Sequence, residues 1–533
     1  MRRSSAFTRY SAFALSAAVA VFAVLLAFVH TPWWWVLAGP ALGATAVGVH
    51  DVSQRKHAIL RNYPLLGHAR FLLESVRPEL QQYFIERNFD GRPFDRDVRD
   101  VVYRRAKGED AGLAFGTERD VYAAGHEILV PSMAPRPAPE EPPAVPVGGL
   151  ACSQPYDMAL LNVSAMSFGA LSSNAVLALN KGAAMGGFAH DTGEGGISEY
   201  HLRHGGDLIW EIGTGYFGCR TPEGEFDPEG FSAKAAHPNV KCVLLKLSQG
   251  AKPGIGGVLP GPKVDAEIAG IRGVPQGRTV VSPPHHRAFA TPRELIRFVD
   301  RMRQLAGGKP VGFKFCVGDR AEVLALCKAM IEEGTTPDFI VVDGAEGGTG
   351  AAPLEFADQM GMPLTEGLMT VHNALVGTGL RDRIRIGASG KIATGADIVK
   401  RLAQGADFTN AARSMMFALG CIQAQACHTN ACPVGVATQD PRRARGLDVA
   451  DKSERVHRYQ EATVRSALQI IASMGLESPA QLRPRMLLRR GTAGELSSYA
   501  ELYEWLDDEQ LLKAPPTAWQ EDWTAADPDR FRN

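Results

Sequence analysis

A (β/α)8 barrel with an N-terminal two-helix transmembrane hairpin and a helical C-terminal extension is the fold class that this 533-residue sequence predicts. Three observations carry it. Two uncharged apolar segments stand at the N-terminus, at residues 11–30 and 33–49. Short apolar runs then alternate with helical patterns between about residues 151 and 440, and strand–helix alternation implies parallel strands. Each run stops abruptly in glycines and polar residues, which places chemistry at the C-terminal end of almost every strand. A barrel builds its site from all its βα loops in that way, whereas an open doubly wound sheet gathers such loops at one switch point.

Composition sets the frame. Hydrophobic content of 45% supports a large core, and a net charge of −1 gives no electrostatic ground for binding nucleic acid. Eight cysteines are too few for a disulfide scaffold in a chain of this length, so a reducing compartment and metal chemistry fit better.

The predicted domains follow in order: residues 1–50 a transmembrane hairpin, 51–150 a charged helical segment with a proline-rich linker, 151–440 the barrel, and 441–533 a helical extension. Each N-terminal apolar segment is long enough to cross a bilayer as a helix. Thr31 and Pro32 form the turn, and Trp33, Trp34 and Trp35 suit a membrane–water interface. Arg2, Arg3 and Arg9 would also begin a signal peptide, but an immediate second apolar segment favours a hairpin over cleavage. Arg55, Lys56 and Arg61 follow it. The positive-inside bias therefore puts both ends in the cytoplasm, with the catalytic domain on the cytoplasmic face of the inner membrane. The stretch 77–87 reads as helix, and the proline-rich residues 131–149 as a linker or extended strap.

The clearest strands are 158–163, 243–247, 311–315, 339–342 and 384–386, with helices at 321–333 and 395–404. Beyond the barrel, residues 455–475 form an amphipathic helix that ends at a glycine and packs on the barrel exterior. The polar, tryptophan-bearing stretch from Thr492 reads as a surface tail, with partner binding the alternative.

Several loops carry chemistry. GASGK, residues 387–391, lies between a strand and a helix, where backbone amides can hold a phosphate. In barrels the last two strand loops often do this, and the second here is TNAARS, residues 409–414, with Arg413 adding charge. Lys314 falls within a strand; facing the barrel interior it must be exposed or turned to a ligand, and beside a flavin it would stabilise charge on reduction. Glycine-rich loops at 190–196, 246–257 and 343–353 add Glu194 as an exposed carboxylate, with Lys246, Gln249 and Lys252. Singly, such charges read as solvated surface groups. Five such loops on one barrel read as a site.

Cys421, Cys427 and Cys432 lie within twelve positions and are followed by Pro433 and Gly435. Converging thiolates hold soft metal centres, and three ligands favour an iron–sulfur cluster one iron short. Zinc sites begin with cysteines two to four residues apart, and the gaps here are five and four. The remaining five cysteines are scattered and read as small buried hydrophobes.

Taken together, SAMSFGAL, DTGEGG, QGAKPG-x-GG-x-LPG-x-KV, SPPHH, DG-x-x-GGTGA-x-PL, LRDR and ALGCI-x-x-x-x-CH-x-N-x-CPVG-x-ATQDP resemble the FMN-binding synthase domain of the glutamate synthase family, in order over residues 164–441. The resemblance implies a (β/α)8 barrel with FMN and a 3Fe-4S cluster that reduces the imine of 2-oxoglutarate and ammonia to L-glutamate. It implies Cys421, Cys427 and Cys432 as cluster ligands. Ser167, Lys314, Gly348, Gly390, Lys391, Ala412 and Arg413 would line the FMN site. Glu194, Lys252 and Arg272 would meet 2-oxoglutarate, Glu194 and Lys252 as the catalytic pair, and arginine suits a dicarboxylate because it grips one bidentately.

The departures are specific. Ile255 and Val258 stand where the family carries polar side chains, and RAFATPRE, with Thr291 and Pro292, lacks the acidic position linked to its ammonia route. No amidotransferase domain and no domain for NAD(P)H are expected, so an external electron donor such as ferredoxin or a partner reductase is implied. A different amine or keto acid, as in N-methylglutamate synthesis, is one alternative, and a non-catalytic electron-transfer subunit of a membrane complex is another. A phosphate-binding barrel of the IMP dehydrogenase type shares the glycine loops but leaves the three cysteines unexplained.

Overall fold

Eight parallel strands close on themselves in the computed structural model, which describes residues 6–531. They are β1 (Leu161–Val163), β2 (His190–Asp191), β3 (Leu208–Ile212), β4 (Val240–Lys246), β5 (Val311–Phe315), β6 (Phe339–Asp343), β7 (Arg385–Ser389) and β8 (Phe408–Ala411). Each pairs with the next, and β8 returns to β1 with Asn410 opposite Asn162. The expected (β/α)8 barrel is therefore present, with helices such as Ser173–Gly186, Arg320–Glu333 and Gly395–Ala403 between strands.

The run expected at 158–163 divides. Met158 belongs to a separate strand, Tyr156–Met158, which pairs antiparallel with Val145–Val147. Val147 and Met158 join Ile209, Cys242, Phe339 and Phe408 in one buried cluster, so this hairpin plugs the N-terminal mouth of the barrel. The proline-rich segment thus ends as part of the core rather than as a linker.

Buried charge fastens that plug. Asp338, fully buried just before β6, accepts from Gly149 N at 2.7 Å, Val311 N at 2.8 Å and Arg303 Nε at 2.9 Å. Arg303 is buried too and also donates to Asp300 Oδ1 at 2.7 Å and to the Thr336 carbonyl. Such a pair is tolerated because each partner makes three hydrogen bonds.

The outer layer is completed from beyond the barrel. The amphipathic helix Val449–Ser473 packs on Ser173–Gly186 and Gly395–Ala403 as expected. Glycines set the approach: a Cβ at Gly182 would lie 2.8 Å from Ser453 O, and one at Gly395 2.5 Å from Ala467 N. The tail expected beyond Thr492 is instead structural. Helix Thr517–Ala525 lies on Arg320–Glu333, with Trp519 buried under Arg320 at 4.4 Å, Asp522 paired to Arg320, and Lys328 Nζ donating to Trp523 O at 2.6 Å. Arg320 and Lys328 give the tail something to hold, which its own composition does not reveal.

The chain divides into two compact units at Arg96 and Asp97, so the block expected at 51–150 belongs partly to each. In the first unit, helices Ala6–Val29 and Trp35–Ser53 form an antiparallel hairpin around Pro32–Trp34. A Cβ at Gly48 would lie 2.2 Å from the Phe13 ring. Among the described residues only one helix is long and apolar enough to cross a membrane, over Arg9–Val29. The two-span hairpin is not borne out. Gly39, Pro40, Gly43 and Thr45 dilute the second helix, and its last turn holds His50 and Asp51. Asp51 is fully buried, accepting from Leu65 N at 3.0 Å and bonded to His68 Nε2 at 2.9 Å. Arg2 and Arg3, on which the topology partly rested, lie outside the described residues.

Replacing Asp338 by alanine leaves the Arg303 guanidinium buried without its partner. The expected loss is ~3–5 kcal/mol of stability, read by urea denaturation; a loss below ~1 kcal/mol would show that the clamp does not hold the plug.

Candidate active site at the C-terminal mouth of the barrel

Successive side chains on a strand face opposite ways. Counting by twos from the core cluster, Ile209 leads to Glu211, Leu244 to Lys246, and Val341 to Asp343. The last inward position of strand after strand is therefore polar, with Asp191 on β2, Lys314 on β5 and Ser389 on β7 in the same layer. Lys314 is paired with Glu211, both buried. The expectation that Lys314 must be exposed or face a ligand overlooked this carboxylate across the barrel.

Burial works against the Lys314 charge, but Glu211, Asp191 and Asp343 more than reverse it, so its pKa lies above the ordinary lysine value. Asp191 is pushed up to about 8, first by burial and then by Glu211. It accepts from Gly193 N at 2.9 Å. Asp343 accepts from Gly250 N at 2.7 Å and so ties the loop after β4 to the end of β6.

Above this layer the loop after β2 brings Glu194 to Lys246 Nζ at the end of β4, 3.0 Å away. Glu194 was expected as an exposed carboxylate; its side chain is only 16% exposed. Glycines make room for it, since a Cβ at Gly257 would lie 2.1 Å from its Oε1 and one at Gly213 2.5 Å from its Oε2. Burial opposes its charge, but Lys246, Arg272 and Lys252 hold the carboxyl below the usual range. Lys252 and Arg272 are likewise buried, not solvated surface groups. Burial, then Lys246, lowers the Lys252 pKa, and Lys252 makes no side-chain hydrogen bond or ion pair among the described residues. Arg272 Nη2 donates to Phe168 O at 3.1 Å and to Ser167 Oγ at 3.3 Å, while its Nε is buried without a partner. The structure thus gathers Glu194, Lys252, Arg272 and Ser167.

A second group forms between the loops after β6, β7 and β8. Arg413 Nη2 donates to Glu346 O at 2.6 Å and its side chain packs where a Cβ on Gly348 would sit. Ser414 Oγ donates to Ile392 O at 2.7 Å, joining the last two strand loops. Gly390 has φ +144°, open to glycine alone, and Lys391 follows at φ +52° on the surface. The helix after β7 opens on a capping box, in which Asp397 accepts from Ala393 N and Thr394 N, and Thr394 Oγ1 accepts from Asp397 N; the amides of residues 387–391 take no part in it.

Cys421, Cys427 and Cys432 follow the helix Arg413–Leu419 in an irregular loop, where Gln423, Gln425 and Asn430 take positive φ. All three are free thiols within electrostatic reach of one another. Burial pushes Cys421 up to about 12 and raises Cys427. Tyr103 donates to Cys421 O at 2.6 Å. Among the described residues no three His, Cys, Asp or Glu side chains gather tightly enough for a single metal ion.

The model of the conserved region in glutamate synthase matches residues 154–477, which contain the barrel and the cysteine loop. The chain belongs to the glutamate synthase family. It is 36% identical over 501 residues to the glutamate synthase large subunit-like protein YerD of Bacillus subtilis, covering 86% of this chain and 95% of that one. It is 35% identical to the archaeal glutamate synthase (NADPH) of Methanocaldococcus jannaschii over 323 residues, 60% of each chain. The glutamate synthase (NADPH) large chain of Bacillus subtilis matches at 34% over 289 residues, only 18% of its length. Thus the chain spans nearly all of the first relative but about three fifths of the archaeal one. Among solved structures, mandelate oxidase with (S)-4-hydroxymandelic acid aligns at a TM-score of 0.43 and 15% identity, over 74% of this chain and 96% of that one.

Sequence reasoning missed Asp191, Glu211, Asp343 and Lys263. The signal was available for two of them: LIWEI and FIVVD each place one acid in an apolar run, as VGFKF places Lys314.

Asp191 supplies a pH test. Its carboxyl titrates near 8 in the folded chain and near 3.8 when unfolded. Between those values the folded state keeps a proton the unfolded state has lost, so stability falls as pH rises through that window. Asp191→Asn removes this dependence, and its melting temperature relative to the parent protein should rise from pH 5 to pH 8. An equal difference at both pH values would refute the assignment.

Proposed function

We propose that this member of the glutamate synthase family is a flavin- and iron–sulfur-dependent oxidoreductase that reductively aminates 2-oxoglutarate to L-glutamate with electrons from an external donor. The observation that carries it is the buried group of Lys252, Arg272 and Glu194 at the C-terminal mouth, beside the polar layer containing Lys314. A dicarboxylate needs two cationic contacts, and a forming amine needs an anionic one.

The residues fit the two cofactors that the family implies. Ser167, Lys314, Gly348, Gly390, Lys391, Ala412 and Arg413 would hold FMN: Gly390 supplies a backbone close to its neighbours, and Arg413 and Lys391 supply charge for a phosphate. Cys421, Cys427 and Cys432 form an all-thiol donor set, as a 3Fe-4S cluster requires, and a cluster needs more room between ligands than one zinc ion. When bound, FMN supplies a hydride equivalent and the cluster supplies electrons one at a time.

The chain's own residues define the rest. Arg272, with its Nε unpartnered, and Lys252 bind the carboxylates. Glu194, held ionised by three cations, stabilises a cationic amine and does not donate protons. Lys252, whose pKa is lowered, supplies the proton. Buried Lys314 balances negative charge near the ring.

Ile255 and Val258, with Val258 on the rim, favour one second reading: a bulkier amine such as methylamine in place of ammonia. The span Arg9–Val29 supports a further proposal, that it anchors the protein in the cytoplasmic membrane.

Anaerobically purified protein should carry flavin and iron, and its photoreduced flavin should be reoxidised by 2-oxoglutarate with ammonia or with methylamine, the faster pair naming the nitrogen source. Colourless, iron-free protein would overturn the proposal, and reoxidation only by a membrane partner would favour an electron-transfer subunit. Arg272→Met is expected to raise KM for 2-oxoglutarate ~10–100-fold, the loss of a charged hydrogen bond. Alkaline carbonate should leave the protein in the membrane pellet, and its complete release would end the anchor reading.

A further inference from the structure

Residues 167–171 form a short loop that is held from two sides. From the candidate substrate pocket, Arg272 donates to Phe168 O and Ser167 Oγ. From the cysteine side, Lys263 Nζ donates to Ala170 O at 2.9 Å, and Gln439 Nε2 to Gly169 O at 3.0 Å and Leu171 O at 2.7 Å. The second bond of Lys263 Nζ goes to Ala437 O at 3.1 Å, just beyond the cysteine loop. Asn430 Nδ2 within that loop donates to Pro262 O at 3.3 Å. Lys263 therefore sits in the seam between the pocket and the three cysteines.

Its charge has no carboxylate to meet. Lys263 is 2% exposed and forms no ion pair among the described residues. The groups near it that can carry negative charge are the thiols of Cys427 and Cys432. Two carbonyl oxygens take two of its three protons but do not neutralise it, and an uncompensated buried ammonium is costly. Two thiolates answer that cost. Conversely, a fixed cation beside thiolate ligands stabilises the more negative, reduced state of whatever centre they hold.

We propose that Lys263 is the charge-balancing residue of the iron–sulfur centre, raising its reduction potential while its two carbonyl bonds hold the cysteine loop against the 167–171 loop of the pocket. This rests on the cluster assignment above. Lys263 acts through Cys427 and Cys432.

The test uses the anaerobically purified full chain and two variants. Lys263→Gln removes the charge but keeps N–H donors, and Lys263→Arg keeps the charge. Iron content is measured first, and midpoint potentials are then titrated, the cluster followed by electron paramagnetic resonance and the flavin by its visible absorbance. The expected result is a lower cluster midpoint in Lys263→Gln, an unmoved flavin midpoint, and a parental cluster midpoint in Lys263→Arg. An unchanged cluster midpoint in Lys263→Gln overturns this proposal and leaves the cluster assignment standing. Equal shifts at cluster and flavin, or loss of iron from both variants alike, also overturn it by showing a purely structural clamp. Iron-free parent protein overturns this proposal and the cluster assignment together.

Discussion

The ammonium of Lys314 lies inside a ring of eight strands with Glu211 as its partner and Asp191 and Asp343 close by. None of these groups has bulk water to solvate it, so each is held in place by the others. Apolar side chains fill the barrel below, where Phe339, Phe408 and Leu244 meet the plug of Val147 and Met158. Above it, the loops need only reach inward to find charge already arranged. A packed apolar floor and a polar ceiling are what allow a barrel to be stable at one end and reactive at the other.

From that ceiling the loops divide into two neighbouring groups. Glu194, Lys252 and Arg272 collect on the β2 and β4 side, while Gly348, Gly390 and Arg413 collect on the β6, β7 and β8 side. Residues 167–171, following β1, touch the first group through Arg272 and the cysteine loop through Lys263 and Gln439. Closure of the sheet makes this adjacency possible, because β1 stands between β8 and β2. An open sheet would have left one of these neighbours at an edge.

Much of the barrel was legible because β4 to β7 are apolar runs ended by glycine. The strands that escaped notice were short or polar: β2 is two residues, β8 reads FTNA, and β3 carries Glu211 within LIWEI. Glu194, Lys252, Arg272 and the cysteines could be named from motifs, but their burial could not. Burial depends on which glycines clear space, as Gly213 and Gly257 do around Glu194, and that is a property of loops meeting across the barrel. The Lys314–Glu211 pair was hidden for a similar reason: its partners stand 103 positions apart in sequence. The N-terminal hairpin failed as a two-span reading because absence of charge is a weaker criterion than apolarity, and Gly39, Pro40 and Gly43 supply the first without the second.

Helix Thr517–Ala525 covers Arg320–Glu333, a helix encoded far earlier in the chain. During synthesis the apolar helix Ala6–Val29 leaves the ribosome well before that cover exists, and the barrel is already threaded through its eighth strand while Arg320 and Lys328 still lack Asp522 and the carbonyls of Trp523 and Ala526. Domains form as units only once their sequence is available. Completion of the outer layer is thus a late event in the life of each molecule, and the nascent barrel waits with one flank uncovered until the helix Thr517–Ala525 arrives.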